Sequence, residues 1–151
     1  MFLMIKAIIL DWGRTLYDRE NDWLFPEAEQ LLDYLSKKYK LAIVSLATNE
    51  LPEERQRLIR DLGIADYFEM ILIDSKDKDQ MYEQVLQQLE ITPQELAVVD
   101  DRVIRGICWG NRKGAKTIWF KKGKFSDELP NEQTGNPDHT IGDLKELYNL
   151  L

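Results

Sequence analysis

Residues 7–10, 41–44, 70–73, 96–99 and 116–120 are short, nearly unbroken apolar runs, each closed by polar or turn residues. A run of this length with no apolar–polar alternation reads as a strand buried on both faces. Between the runs, apolar residues recur at helical spacing: Ala28, Leu31, Leu32 and Leu35; Leu58, Ile59 and Leu62; Met81, Val85, Leu86 and Leu89; Ile104, Ile107, Cys108 and Trp109. This alternation predicts an α/β fold: a doubly wound, mostly parallel, Rossmann-like sheet with helices on both faces and right-handed crossovers. The length of 151 residues fits one domain with a real core.

Local signals set the boundaries. Residues 17–22 are polar and without period, a loop or small hairpin over the end of the first strand. Pro26 suits the first turn of a helix running to Tyr39, and Pro52 the first turn of one opening at Asn49 or Glu50 and stopped by Gly63. Residues 121–138 carry scattered Gly and Pro and read as surface loop. A short strand at residues 139–141 and a closing helix over residues 143–151 complete the pattern.

The ends of the apolar runs concentrate the chemistry. Asp11 follows the first run, with Gly13 and Thr15 behind it; Ser45 follows the second, Asp74, Ser75 and Lys76 the third, and Asp100 with Asp101 the fourth. Polar residues commonly begin loops, so each alone has a bland structural reading. In an open α/β sheet, however, ligands bind outside the carboxyl ends of the strands. Two carboxylates there suit a hard divalent cation, above all Mg²⁺. A hydroxyl and an ammonium suit a phosphate.

The formal net charge is −7, with no dense Lys/Arg block, which argues against nucleic-acid or membrane-surface binding. One cysteine, Cys108, forbids an intramolecular disulfide and suits a reducing compartment. The apolar residues 1–10 are interrupted by Lys6, lack a cleavage signal and are too short to span a bilayer, so a cytoplasmic location is expected. His139, the single histidine, has no partner for His-based catalysis, and Cys108 beside Trp109 reads as a small core residue.

The ordered set resembles the haloacid dehalogenase-like superfamily of aspartate-nucleophile hydrolases. Asp11-Trp-Gly-Arg-Thr15-Leu16 matches the first Asp, the Thr and the Leu of its first motif. Ser45 matches the second motif, and Lys76, six residues before Tyr82, the third. Asp101-Arg102 followed by Gly110-Asn-Arg-Lys-Gly114 matches one form of the fourth. The resemblance implies a Mg²⁺-dependent phosphohydrolase in which Asp11 forms an aspartyl-phosphate. It further implies that Asp11, Asp101 and the main-chain carbonyl of Gly13 hold the metal, and that Ser45 and Lys76 hold the phosphoryl group. Lys76 is preferred over Lys78, an expected helix-surface lysine, by its distance to Tyr82. The substrate would be a phosphorylated small molecule or macromolecule.

Four positions depart from the family pattern. Gly13 replaces the Asp that protonates the leaving oxygen, Arg14 replaces a glycine, and Asp100 replaces the fourth motif's glycine while Gly106 stands where a second acid is common. The first departure opens an alternative, a binding or regulatory domain with little turnover. Thirty-three residues separate Asp11 from Ser45 and thirty separate Ser45 from Lys76. Core elements fill both intervals, so no inserted cap domain is expected.

Overall fold

Strand β1 (Ala7–Leu10) has all four side chains buried, and the sheet is built outward from it. The computed structural model describes residues 4–151; residues 1–3, the start of the apolar N-terminal stretch, lie outside the described residues. After β1 comes a tight turn and a two-residue-per-strand hairpin, β2 (Tyr17–Asp18) and β3 (Trp23–Leu24). Helix α1 (Ala28–Ser36), strand β4 (Lys40–Leu46), helix α2 (Pro52–Asp61), strand β5 (Met70–Asp74) and helix α3 (Asp79–Leu89) follow. The second half holds β6 (Leu96–Asp100), α4 (Cys108–Lys113), β7 (Lys116–Phe120), β8 (His139–Ile141) and α5 (Leu147–Leu150).

Six strands form one sheet in the order β5-β4-β1-β6-β7-β8, every neighbouring pair parallel. The strand side chains alternate between two cores, as the pleat requires. Ile8, Leu10, Ile43 and Val99 face one side, against Leu31, Leu32 and Leu35 of α1, Ile59 of α2 and Leu147 of α5. Ala7, Ile9, Val44 and Val98 face the other, against Tyr82 and Val85 of α3 and Trp109 of α4. A sheet covered on both faces explains why its strands read as continuous apolar runs. Chain order reverses around β1, which lies between β4 and β6. Such a switch point leaves a crevice at the carboxyl ends of the strands. Leu10 pairs with both Ile43 and Val99, so the next residues along β1 and β6, Asp11 and Asp100, emerge side by side.

Several boundaries shift from those expected. α2 starts at Pro52, not at Asn49 or Glu50, because Leu51 is extended and Pro52 fixes the first helical φ. α1 stops at Ser36, three residues before Tyr39. The stretch holding Ile104 and Ile107 is a wide π-type turn, Val103–Ile107, that runs into α4. The closing helix is a 3₁₀ turn, Leu144–Glu146, capped by Asp143 and continued by the single turn of α5. Between Asp11 and Ser45 the chain holds only the small hairpin and α1 beyond the sheet, so no domain is inserted there. No helix among the described residues is long and apolar enough to cross a membrane.

Candidate functional site

The turn after β1 folds back tightly. The amides of Leu16 and Tyr17 both donate to the carbonyl of Trp12, and Trp12 stacks on Tyr17 with ring centroids 5.1 Å apart. Arg14 takes the left-handed conformation, φ 65°, where the family pattern has glycine. This turn holds Asp11 against β6, its amide donating to the carbonyl of Val99 at 3.0 Å. Thr15 Oγ1 lies 3.4 Å from Asp11 Oδ2.

Asp11, Asp100 and Asp101 are all buried and offer ligand oxygens within 4.8 Å of one another. Three carboxylates so close cannot all stay ionised without a compensating cation. Part of the compensation is Lys78, also buried, whose Nζ donates to Asp11 Oδ1 at 3.1 Å and to Asp100 Oδ2 at 3.0 Å. Burial works against the ammonium, but Asp100 and Asp11 outweigh it and hold Lys78 charged, well above its usual range. Burial likewise opposes Asp100, yet Lys78 and the amide of Arg102 keep its carboxyl below the usual range. For Asp11 burial prevails over Lys78 and the pKa rises.

Asp101 is left uncompensated. Burial, then the charges of Asp11 and Asp100, push its carboxyl up to about 10, and its Oδ2 is buried with no hydrogen-bond partner. Trp119 Nε1 donates to the Asp101 carbonyl at 3.0 Å and fixes its backbone. An orphaned carboxylate oxygen facing a second carboxylate is a donor set that fits a hard divalent cation.

Asp100 is saturated. It accepts from Lys78, from the amides of Arg102 (3.0 Å) and Gly106 (2.9 Å), and from the Tyr82 hydroxyl at 3.4 Å. A Cβ on Gly106 would lie 2.5 Å from Asp100 Oδ2. Asp100 thus fills the space into which a side chain at position 106 would project.

The fold brings Asp11, Asp101 and Gly13 to one cleft at the strand ends. It does not bring Lys76 there: Ser75, Lys76 and Asp77 are exposed, and the chain turns inward only at Lys78. Lys78 shares a face with Met81, Tyr82 and Val85, so extending that apolar stripe back by one turn would have found it. Ser45 is buried at the end of β4, its Oγ accepting from Arg55 Nη1 at 2.7 Å, with its own proton free to donate. Arg55, one turn before Ile59 on the buried face of α2, also donates to the Leu46 carbonyl and pairs with Glu50. Gly13 has ordinary backbone geometry, but a Cβ there would lie 3.0 Å from Arg19 Nε, so a guanidinium fills that space. The Gly110–Gly114 segment is structural: Asn111 binds the carbonyls of Thr134 and Asn136, and Gly114 ends α4 in the left-handed conformation.

Comparison with known proteins identifies the family. The family of haloacid dehalogenase-like hydrolases matches residues 6–107, and a HAD-hydrolase-like family matches residues 74–147. A phosphoserine phosphatase of Thermus thermophilus is 26% identical over 87% of this chain and 52% of its own length. A glyceraldehyde 3-phosphate phosphatase of Pyrococcus furiosus is 30% identical over 83% of this chain and 53% of its own. The chain therefore spans about half the length of these curated relatives. Among solved structures, a magnesium-bound HAD-hydrolase of Bacillus subtilis superposes with a TM-score of 0.81 over 99% of both chains at 15% identity. The L-2-haloacid dehalogenase of Xanthobacter autotrophicus superposes at 0.77 over 97% of this chain and 98% of its own, at 16% identity. With a family match across most of the sheet and a buried acidic cluster at the switch point, this chain belongs to the haloacid dehalogenase-like hydrolases.

Proposed function

We propose that the protein is a Mg²⁺-dependent phosphohydrolase in which Asp11 attacks phosphorus and carries the phosphoryl group as an aspartyl-phosphate. The observation that carries this reading is Asp11 itself, hydrogen-bonded to the buried Lys78 and opening into the cleft beside the orphaned carboxylate of Asp101. The named activities of the curated relatives, phosphatases of small phosphorylated molecules, support the same class.

Asp11, Asp101 and the Gly13 carbonyl would hold the cation, which when bound supplies charge neutralisation for the transferred phosphoryl group. Lys78 takes the role that spacing gave to Lys76. Held between Asp11 and Asp100, it would face the negative charge that builds on the equatorial oxygens. Asp100 positions Lys78 rather than moving a proton, since all its bonds keep it ionised. Ser45, oriented by Arg55, donates to the phosphoryl group. The mechanism then splits one hard displacement into two easier ones.

Gly13 is the observation that favours the second reading, a binding domain with little turnover. Arg19, whose guanidinium fills the space beside Gly13, offers hydrogen-bond donors there and no carboxyl. It can only stabilise a leaving oxyanion by hydrogen bonding. Turnover should therefore favour acidic leaving groups.

In a screen of phosphorylated metabolites and aryl phosphates with Mg²⁺, the wild type should turn over at least one class and Asp11→Asn none. Activity undiminished in Asp11→Asn would exclude Asp11 as the nucleophile, and inactivity of both proteins would favour the binding domain. Millimolar Mg²⁺ should raise Tm in calorimetry, by about 2–4 °C for each kcal/mol of linkage, and Asp101→Asn should remove the rise. Lys78→Met should abolish activity and lower stability by about 3–5 kcal/mol in urea titrations, as the loss of one partner of a buried pair does. Lys76→Met should do neither, and the reverse outcome would restore Lys76 to the site. Finally, Gly13→Asp should gain little on alkyl phosphates by itself, because the new carboxylate would pair with Arg19 and become a poor acid. With Arg19→Ala added, kcat/KM for alkyl phosphates should rise, by up to about 10²–10⁴ if the carboxyl reaches the leaving oxygen. An equal gain from Gly13→Asp with and without Arg19 would show that the guanidinium does not govern this position.

A further inference from the structure

The cleft in front of Asp11 encloses about 230 Å³, and six cationic side chains line it: Arg14, Arg19, Arg55, Arg102, Arg105 and Lys124. The carboxylates lining it are Asp11 and Asp101 alone. In a chain of net charge −7, this is a strong local inversion of sign. Two of the six are neutralised from behind: Arg55 by Glu50, and Arg102 by Glu128, whose Oε2 is 2.9 Å from its Nε. Arg19 lies beside Gly13, at the reacting centre, 3.8 Å from the same Glu50. Arg14, Arg105 and Lys124 have no carboxylate oxygen within 4.0 Å among the described residues.

The demand for those three does not come from the transferred phosphoryl group. Lys78 and the cation that Asp11 and Asp101 would hold already face that group. Nor is the cluster an accident of loose surface chains. Arg14, Arg102 and Lys124 converge on the ring of Phe125, at 5.9, 3.8 and 5.4 Å from its centroid, which gives like charges a common platform. Arg14 stands at a left-handed φ of 65°, a backbone state that disfavours a side chain by about 1 kcal/mol and that glycine would occupy freely. A strained residue held next to a nucleophile points to function.

We propose that Arg14, Arg105 and Lys124 form a subsite for a second anion, so that the substrate is a small molecule carrying a phosphate ester and a further oxyanion, a carboxylate or a second phosphate. The placement of its phosphoryl end rests on the phosphohydrolase reading above. The arginine forks suit either oxyanion through paired N–H donors, and Phe125 offers an apolar wall to the carbon chain between the two charges.

Because binding needs no turnover, three non-hydrolysable probes test the subsite apart from catalysis: an n-propyl phosphonate, the same chain ending in a carboxylate, and the same chain ending in a second phosphonate. Titration calorimetry on the wild-type protein with Mg²⁺ should show at least one two-anion probe binding on the order of tenfold tighter than the propyl phosphonate, as charge-assisted hydrogen bonds provide. The tighter of the two identifies the oxyanion. In Arg105→Gln/Lys124→Gln the gap should close. It should also narrow in Arg14→Gly, which the left-handed backbone accommodates, so a folding defect in one variant leaves the other to decide. Equal affinities in the wild type, no binding of any probe, or a gap that survives in both variants would overturn the subsite. A gap in a protein without turnover would retain the subsite and reject the hydrolase; turnover without a gap would do the reverse.

Discussion

Lys78 is the contact on which the arrangement of the site depends. Its ammonium lies between Asp11 on β1 and Asp100 on β6, and it is carried by the residue that opens α3. Burying a charge costs several kcal/mol, and such a pair is rarely a net source of stability. What it supplies is position. With Lys78 engaged, Asp100 ionised and Asp11 oriented, the unresolved charge falls on Asp101, the carboxylate with a free buried oxygen. Asp101 is in turn tethered through its own carbonyl to Trp119 on β7. The fitness of the cluster for a cation is thus a consequence of how the other charges are balanced.

The surroundings carry the opposite sign. An acidic chain that handles anions must concentrate its cations locally, and it does so on the turn after β1, on α2 and around the loop holding Phe125. Two of these cations are paired with a carboxylate, Arg55 with Glu50 and Arg102 with Glu128.

Much of this was legible in the sequence because strands buried on both faces leave continuous apolar runs, and their ends mark the crevice. Those ends pointed to Asp11, Ser45, Asp100 and Asp101, all of them buried. Lys78 was missed, because the strand end and the spacing to Tyr82 both drew attention to Lys76, while burial of a lysine is rare enough to make exposure the default. Its helical phase with Met81, Tyr82 and Val85 carried the information. Arg55 was hidden for the same reason, a charged residue on an apolar stripe. The wall built by residues 123–125 lay beyond reach, since loop placement follows from tertiary contacts and not from periodicity.

The departures from the family pattern are of two kinds, and only geometry separates them. At positions 100 and 106 a glycine and an acid have exchanged places. A Cβ at 106 would run into Asp100 Oδ2, so the Asp100 carboxylate fills that space, where it contacts Lys78 and Tyr82. By position this looks like a loss, whereas in space the group has moved its point of attachment. At position 13 no carboxylate returns from elsewhere. The volume beside Gly13 is taken by Arg19, a group of opposite charge and without a transferable proton. The first exchange conserves the electrostatics of the site. The second replaces a carboxylate by a guanidinium in the space beside Gly13, and so inverts the sign of the charge there.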